Sequence, residues 1–389
     1  MSRSGVELLG TRGKAFRTAE TIVTLMTAVC AAGQRRPAVF EKVDLRQVIP
    51  ANDSARFPTL SVRAMRFSPD GERLAVVSGY PIGKDARGRR GLLTVLVVSH
   101  PRSAEPTWAI PDLVSDAWGA SPSVNFSWSS DGARIFAGGE ILSVNGGRPC
   151  VLQPDSRGGG FFAPGRVVSI VAWSRRSGYS YAVYDDRCGF EYALDWRDFG
   201  ELLDITPDRS LAAVEHRPLR NPVSADFEVW VVDPAGGQVR NRIRVGLGGD
   251  AVFADGGRTL CGSVGEQAPD HSPVRCWDLD DSRLIAEAKG VNLGRPFVAA
   301  SGVSRVLVSD YQYTRDPLSS YETSTVLRRR LIWDFRSNKM IAWWRVSGAV
   351  PWGIRRDTAS EESRRYALSP DGRVLAEGEG SEIRFYRLP

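Results

Sequence analysis

A chain of 389 residues with 42% apolar and 25% charged content carries enough apolar side chain to bury a large core. Its net charge of +6, from 51 Lys plus Arg against 45 Asp plus Glu, falls well short of the dense basicity that binding a phosphate backbone requires, so no nucleic-acid partner is implied. The 39 glycines and 23 prolines are spread throughout, which suits many short strands joined by turns and argues against long helices.

At the start of the chain, Arg3, Arg12, Lys14 and Arg17 precede an apolar run over residues 21–32. The run has the length of a signal-peptide core and is too short to span a bilayer, so no transmembrane helix is expected. Val29-Cys30-Ala31 offers a cleavage site, whereas Glu7, Glu20 and the threonines of the run suit an amphipathic helix with Ile22, Met26 and Val29 on one face. Residues 1–34 therefore read as a signal-like or disordered segment. The protein is periplasmic or secreted if residues 1–31 are a signal peptide and cytoplasmic otherwise.

A turn signature then recurs. Arg66-Phe67-Ser68-Pro69-Asp70-Gly71 precedes a strand at 74–77, and Ser129-Ser130-Asp131-Gly132 precedes one at 134–137. Ala163-Pro164-Gly165, Thr206-Pro207-Asp208, Ala254-Asp255-Gly256-Gly257 and, more weakly, residues 298–302 open further strands, and Ser369-Pro370-Asp371-Gly372 joins 366–368 to 373–376. Proline presets φ, aspartate bonds the local backbone and glycine takes the left-handed position, so each is a hairpin turn. Equivalent positions at 69, 130, 164, 207, 255, 302 and 370 give seven units, with spacing scattered around the ~40–50 residues of a four-stranded propeller blade.

Two spacings are long because polar stretches are inserted. Residues 80–91 carry Arg87, Arg89 and Arg90, residues 311–325 carry Tyr311 and Tyr313, and residues 350–363 carry Trp352 between Pro351 and Gly353. They read as surface loops grafted on blades, and these six residues are the candidate binding positions. Arg157-Gly158-Gly159-Gly160 reads as a flexible turn, and Arg328 to Arg330 opens a strand. A second signal follows each turn: Val229-Trp230-Val231-Val232-Asp233, Cys276-Trp277-Asp278, Ile332-Trp333-Asp334 and Arg384-Phe385-Tyr386, with fourth strands at 239–245, 284–288 and 340–346. Trp173, Trp230, Trp277 and Trp333 fall at strand positions and are expected between blades.

On these motifs the chain resembles the bacterial WD-repeat β-propellers, including TolB-like propellers whose Ser-Pro-Asp-Gly turns open each blade. The resemblance spans about residues 43–389 and implies an all-β fold: a seven-bladed propeller of four-stranded blades in a single unit over 35–389. It departs from the best-formed WD repeats in lacking the Gly-His pair, with only His100, His216 and His271 in the chain, so packing must supply blade rigidity. The last unit holds only three strands. Residues 38–48 have no blade of their own and are expected to pair with 383–388, closing the ring and removing open edges.

Cys261 and Cys276 fall in neighbouring strands where one register sets them face to face. A disulfide and two small buried thiols are both open readings, while Cys150 and Cys188 are too far apart in sequence for their pairing to be read either way. No C-x-x-C spacing, G-x-S-x-G elbow or phosphate-cradling glycine motif is present, and no cofactor, catalytic or metal-binding residue is assigned. The acidic runs Asp278 to Asp281, Glu361-Glu362 and Asp185-Asp186 read as solvated turns. The favoured function is a non-catalytic scaffold for a protein or peptide, as a monomeric ring. The alternative is a propeller hydrolase or lyase with a metal or acidic site in the central channel.

Overall fold

The computed structural model describes residues 37–49, 60–79, 90–111, 126–152, 158–174, 178–194, 202–216, 227–234, 238–245, 251–263, 273–291, 293–315, 323–345, 351–352 and 365–389. The signal-like segment, Arg87 and Arg89, His271 and Glu361-Glu362 lie outside them.

Seven antiparallel sheets form. Blade one holds Ser61–Phe67, Arg73–Gly79, Arg90–Val97 and His100–Pro111; blade two Phe126–Trp128, Arg134–Ala137, Glu140–Ser143 and Cys150–Val151. Blade three holds Gly158–Ala163, Arg166–Ser174, Gly178–Asp185 and Phe190–Leu194; blade four Leu202–Ile205, Ala212–His216, Phe227–Val232 and Val239–Val245. Blade five holds Ala251–Ala254, Thr259–Ser263, Val274–Asp278 and Leu284–Glu287; blade six Leu293–Ala299, Arg305–Arg315, Thr323–Asp334 and Lys339–Arg345. Blade seven joins Tyr366–Leu368, Val374–Glu379 and Glu382–Arg387 to Ala38–Asp44 from the other end of the chain. First strands contact first strands in an unbroken cycle, one to two and onward through seven and back to one, so the sheets form a seven-bladed β-propeller.

The core follows from strand alternation. Successive side chains point to opposite faces, so each blade packs against both neighbours. Ala212 and Val214 face Phe162 and Val183 of blade three, whereas Ala213 between them faces Phe253 and Leu260 of blade five. Seven apolar clusters fill the seven interfaces. Trp277 and Trp333 are buried in two of them, and Trp230 is half-buried against a third.

All seven turns connect a first to a second strand, at one end of the ring. In four of them the same local bonds recur. Ser68, Ser129, Thr206 and Ser369 each donate to the aspartate two residues on, at 2.5–2.7 Å, and accept from the backbone N–H five residues on. Neighbouring turns nest: a Cβ on Gly71 would lie 3.2 Å from Pro370, and Gly302 N donates to Pro370 O at 2.9 Å.

Ring closure has the expected strand in a shorter form. Ala38–Asp44 pairs antiparallel with Glu382–Arg387, but Leu45–Val48 is one helical turn instead of more strand. Asp44 accepts from Arg46 N at 3.1 Å and caps that turn, while buried Leu45 packs among Ile383, Phe385 and blade one's Val62 and Leu74.

Four further readings are corrected. Residues 311–325 are not a plain loop: Arg305–Arg315 and Thr323–Asp334 run on as a hairpin pairing Arg315 with Thr323, since their tyrosines, threonines and valine favour cross-strand pairing. Thr323–Asp334 consequently starts five residues before Arg328. Pro351–Trp352, read as loop, adds a short fifth strand to blade six beside Thr325 and Val326. Gly158–Gly160 is strand, not turn, because Gly159 lets blade three's first two strands approach: a Cβ there would lie 1.9 Å from Val168 O.

Candidate functional site

The first strands and the turns that follow them wall a channel cavity of 140 Å³, lined from blades one, two, four, five, six and seven. In three of the four Ser/Thr turns, the residue two positions before the Ser or Thr reaches sideways into the next blade. Arg66 Nη1 donates to Phe126 O at 3.3 Å, Ser127 Oγ accepts from Phe161 N at 3.0 Å, and Asp204 Oδ2 accepts from Phe253 N at 2.8 Å.

Two of these side chains meet across the channel. Arg66 Nη2 stands 3.8 Å from Asp204 Oδ1, joining blade one to blade four. Arg209 completes the set. It occupies the turn position held by Gly71, Gly132 and Gly372 elsewhere, and like them it donates its backbone N–H to the turn's first residue. Its φ of 66° is left-handed, a conformation that costs a residue with a Cβ about 1–2 kcal/mol. Its side chain is buried, and Nη2 donates to Trp128 O of blade two, whose indole N–H donates to Arg66 O at 3.0 Å.

The electrostatics follow from enclosure. Burial pushes the Asp204 carboxyl up from its usual range, with Arg66 pulling it back. Burial and then the like charge of Arg66 bring Arg209 down to about 10, still a cation at neutral pH. Arg66 is also lowered by burial, opposed by Asp204. Asp204 is the one carboxylate among the described lining residues, and no three His, Cys, Asp or Glu side chains converge as metal ligands among the described residues.

The sequence-derived candidates lie elsewhere. Tyr313 and Trp352 flank Thr325 in one transverse backbone row of the blade-six extension, and half-buried Tyr311 pairs with Leu327 two rungs inward. Arg90 opens a strand of blade one opposite Pro111, with blade seven between it and blade six. Asp280 and Asp281 are exposed, and Asp186 meets Arg134 of blade two. Arg66, Asp204 and Arg209 were passed over in the sequence. The signals available were a charged residue two before the turn, and an arginine where the other turns have glycine.

Two disulfides join described residues. Cys261 and Cys276 are directly opposed in blade five and bonded, with Cα atoms 4.0 Å apart. Cys150, on blade two's outermost strand, is bonded to Cys188 of blade three across the interface.

No protein-family model and no curated protein matches the chain in sequence. Among solved structures, a chain of the mitotic checkpoint complex is similar at 14% identity and TM-score 0.49, over 92% of this chain and 98% of that one. A chain of Kuenenia stuttgartiensis hydrazine synthase is similar at 11% identity and TM-score 0.50, over 85% of this chain and 96% of that one. At 11% identity the likeness to the hydrazine synthase chain is one of fold alone.

Proposed function

We propose that the protein is a non-catalytic scaffold of the bacterial WD-repeat, TolB-like kind, working as a monomeric ring over residues 35–389 that holds a protein or peptide partner. The observation that carries this reading is the blade-six extension. Its hairpin runs beyond the first strand, whose last partner is Tyr311, so residues 312–315 continue past the body of the blade, and Trp352 is added on the far side. Strand edges and aromatic residues are what an extended peptide uses to add itself to a sheet. The two disulfides favour an oxidising compartment, hence export through residues 1–31. The hydrolase alternative is left with Asp204 as the single carboxylate of the described channel wall, where glycoside-type hydrolysis uses a pair.

The test is photo-crosslinking from positions 313 and 352 in the native host, followed by Tyr313→Ala with Trp352→Ala. The reading expects one dominant crosslinked protein and at least tenfold weaker binding of it by the double variant at unchanged melting temperature. Equal binding by the variant would remove blade six from the interface.

A further inference from the structure

Three charged side chains, Arg66, Arg209 and Asp204, line the channel among the described residues. Asp204 attracts both arginines, and Asp208, in the same turn as Arg209, attracts Arg209 as well. Buried charges are normally paired, because an uncompensated one carries a desolvation cost of several kcal/mol. Arg209 is the anomaly among these side chains. It takes a left-handed turn position that glycine fills in blades one, two and seven, and its buried Nε has no hydrogen-bond partner among the described residues. A strained backbone, a buried cation and an unsatisfied donor at one place in the channel mark a site whose strain is maintained for a use.

We propose that the channel is a binding site for a small oxyanion able to donate a hydrogen bond, inorganic phosphate in its protonated forms being the simplest, held between Arg66 and Arg209 with Asp204 as acceptor. This goes beyond the scaffold reading and does not depend on it. Guanidinium groups offer planar N–H forks that match phosphate oxygens. A carboxylate beside them accepts from a P–O–H group and repels an oxyanion that carries no proton, which favours phosphate over sulfate. Asp204 Oδ2 is held by Phe253 N, so its orientation is set before the ligand arrives. The volume of 140 Å³ is roughly ten times the ~10–15 Å³ that one water requires, enough for one phosphate with a few waters.

The experiment is calorimetric titration of the full chain with inorganic phosphate, and separately with sulfate, at constant ionic strength. The expected result is one saturable phosphate site per chain, with sulfate at least tenfold weaker. Arg209→Gly restores the turn residue of the other blades, so it should melt no lower than the parent while losing at least tenfold in phosphate affinity. Arg66→Gln should lose a similar factor, and Asp204→Asn should narrow the gap between phosphate and sulfate. Absence of phosphate binding by the parent, or parental affinity in both arginine variants, overturns the site. Sulfate binding as tightly as phosphate overturns the role of Asp204.

Discussion

At the scale of the residue, the four Ser/Thr-x-Asp turns are small closed circuits. In each, the aspartate accepts from the hydroxyl two residues back and from the backbone N–H two residues on. Three of these carboxyls are held below the usual range. For Asp131 the Ser129 hydroxyl is the chief cause. For Asp208 and Asp371 burial is the largest single influence and pushes upward, but the hydroxyls of Thr206 and Ser369 and the following N–H groups together outweigh it. A carboxyl depressed in the folded state stabilises fully above its unfolded pKa of about 4 and loses that contribution as pH falls through the folded value. Asp131→Asn, Asp208→Asn and Asp371→Asn together should therefore cost stability at pH 7, about 1 kcal/mol per turn, and flatten the loss expected of the parent below about pH 4. Melting temperatures between pH 7 and pH 3 measure this, and parallel curves would show that the turns do not drive the acid response. These turns were legible because every partner lies within five residues. Arg209 was not, because its partner Trp128 belongs to another blade and the turn motif alone does not reveal a side chain's destination.

At the scale of the element, the two disulfides do different work. Cys261–Cys276 ties neighbouring strands already paired by the sheet, across a separation of 15 residues, whereas Cys150–Cys188 ties two blades across 38. Loop-closure entropy assigns them upper bounds of about 3 and about 4 kcal/mol. Cys150→Ser with Cys188→Ser should lower the denaturant midpoint more than Cys261→Ser with Cys276→Ser, since the ladder survives the second change. The reverse order would mean that the interface between blades two and three is held by its apolar cluster of Phe136, Phe161 and Tyr184 without need of the bridge. Sequence periodicity located the strands bearing Cys261 and Cys276, but pairing Cys150 with Cys188 needs the angle between two sheets. The blade-six hairpin was misread for a related reason. Its Ser, Thr and Arg content resembles a loop, and only the cross-strand partners at 323–327 make residues 311–315 a strand.

At the scale of the whole molecule, stability rests on closure. Seven interfaces exist only if the ring is complete, and the interface between blades seven and one includes Val43 and Leu45 from the closing segment. Deleting residues 36–50 removes the outer strand of blade seven and those two side chains, and should abolish soluble folding. Leu45→Ala, a milder lesion, should cost about 2–4 kcal/mol in one cooperative transition. A truncated protein that melts like the parent would show that the ring does not need its closing strand. The sequence by itself determined the repeat, the number of blades, the turn chemistry and the strand that closes the ring. These are written in contiguous residues whose backbone preferences and alternation act locally. Only the tertiary structure decided that Arg66, Asp204 and Arg209 share one channel and that Cys150 reaches Cys188. Such meetings depend on the summed rotation from blade to blade, a quantity set by packing across interfaces and carried by no short stretch of chain.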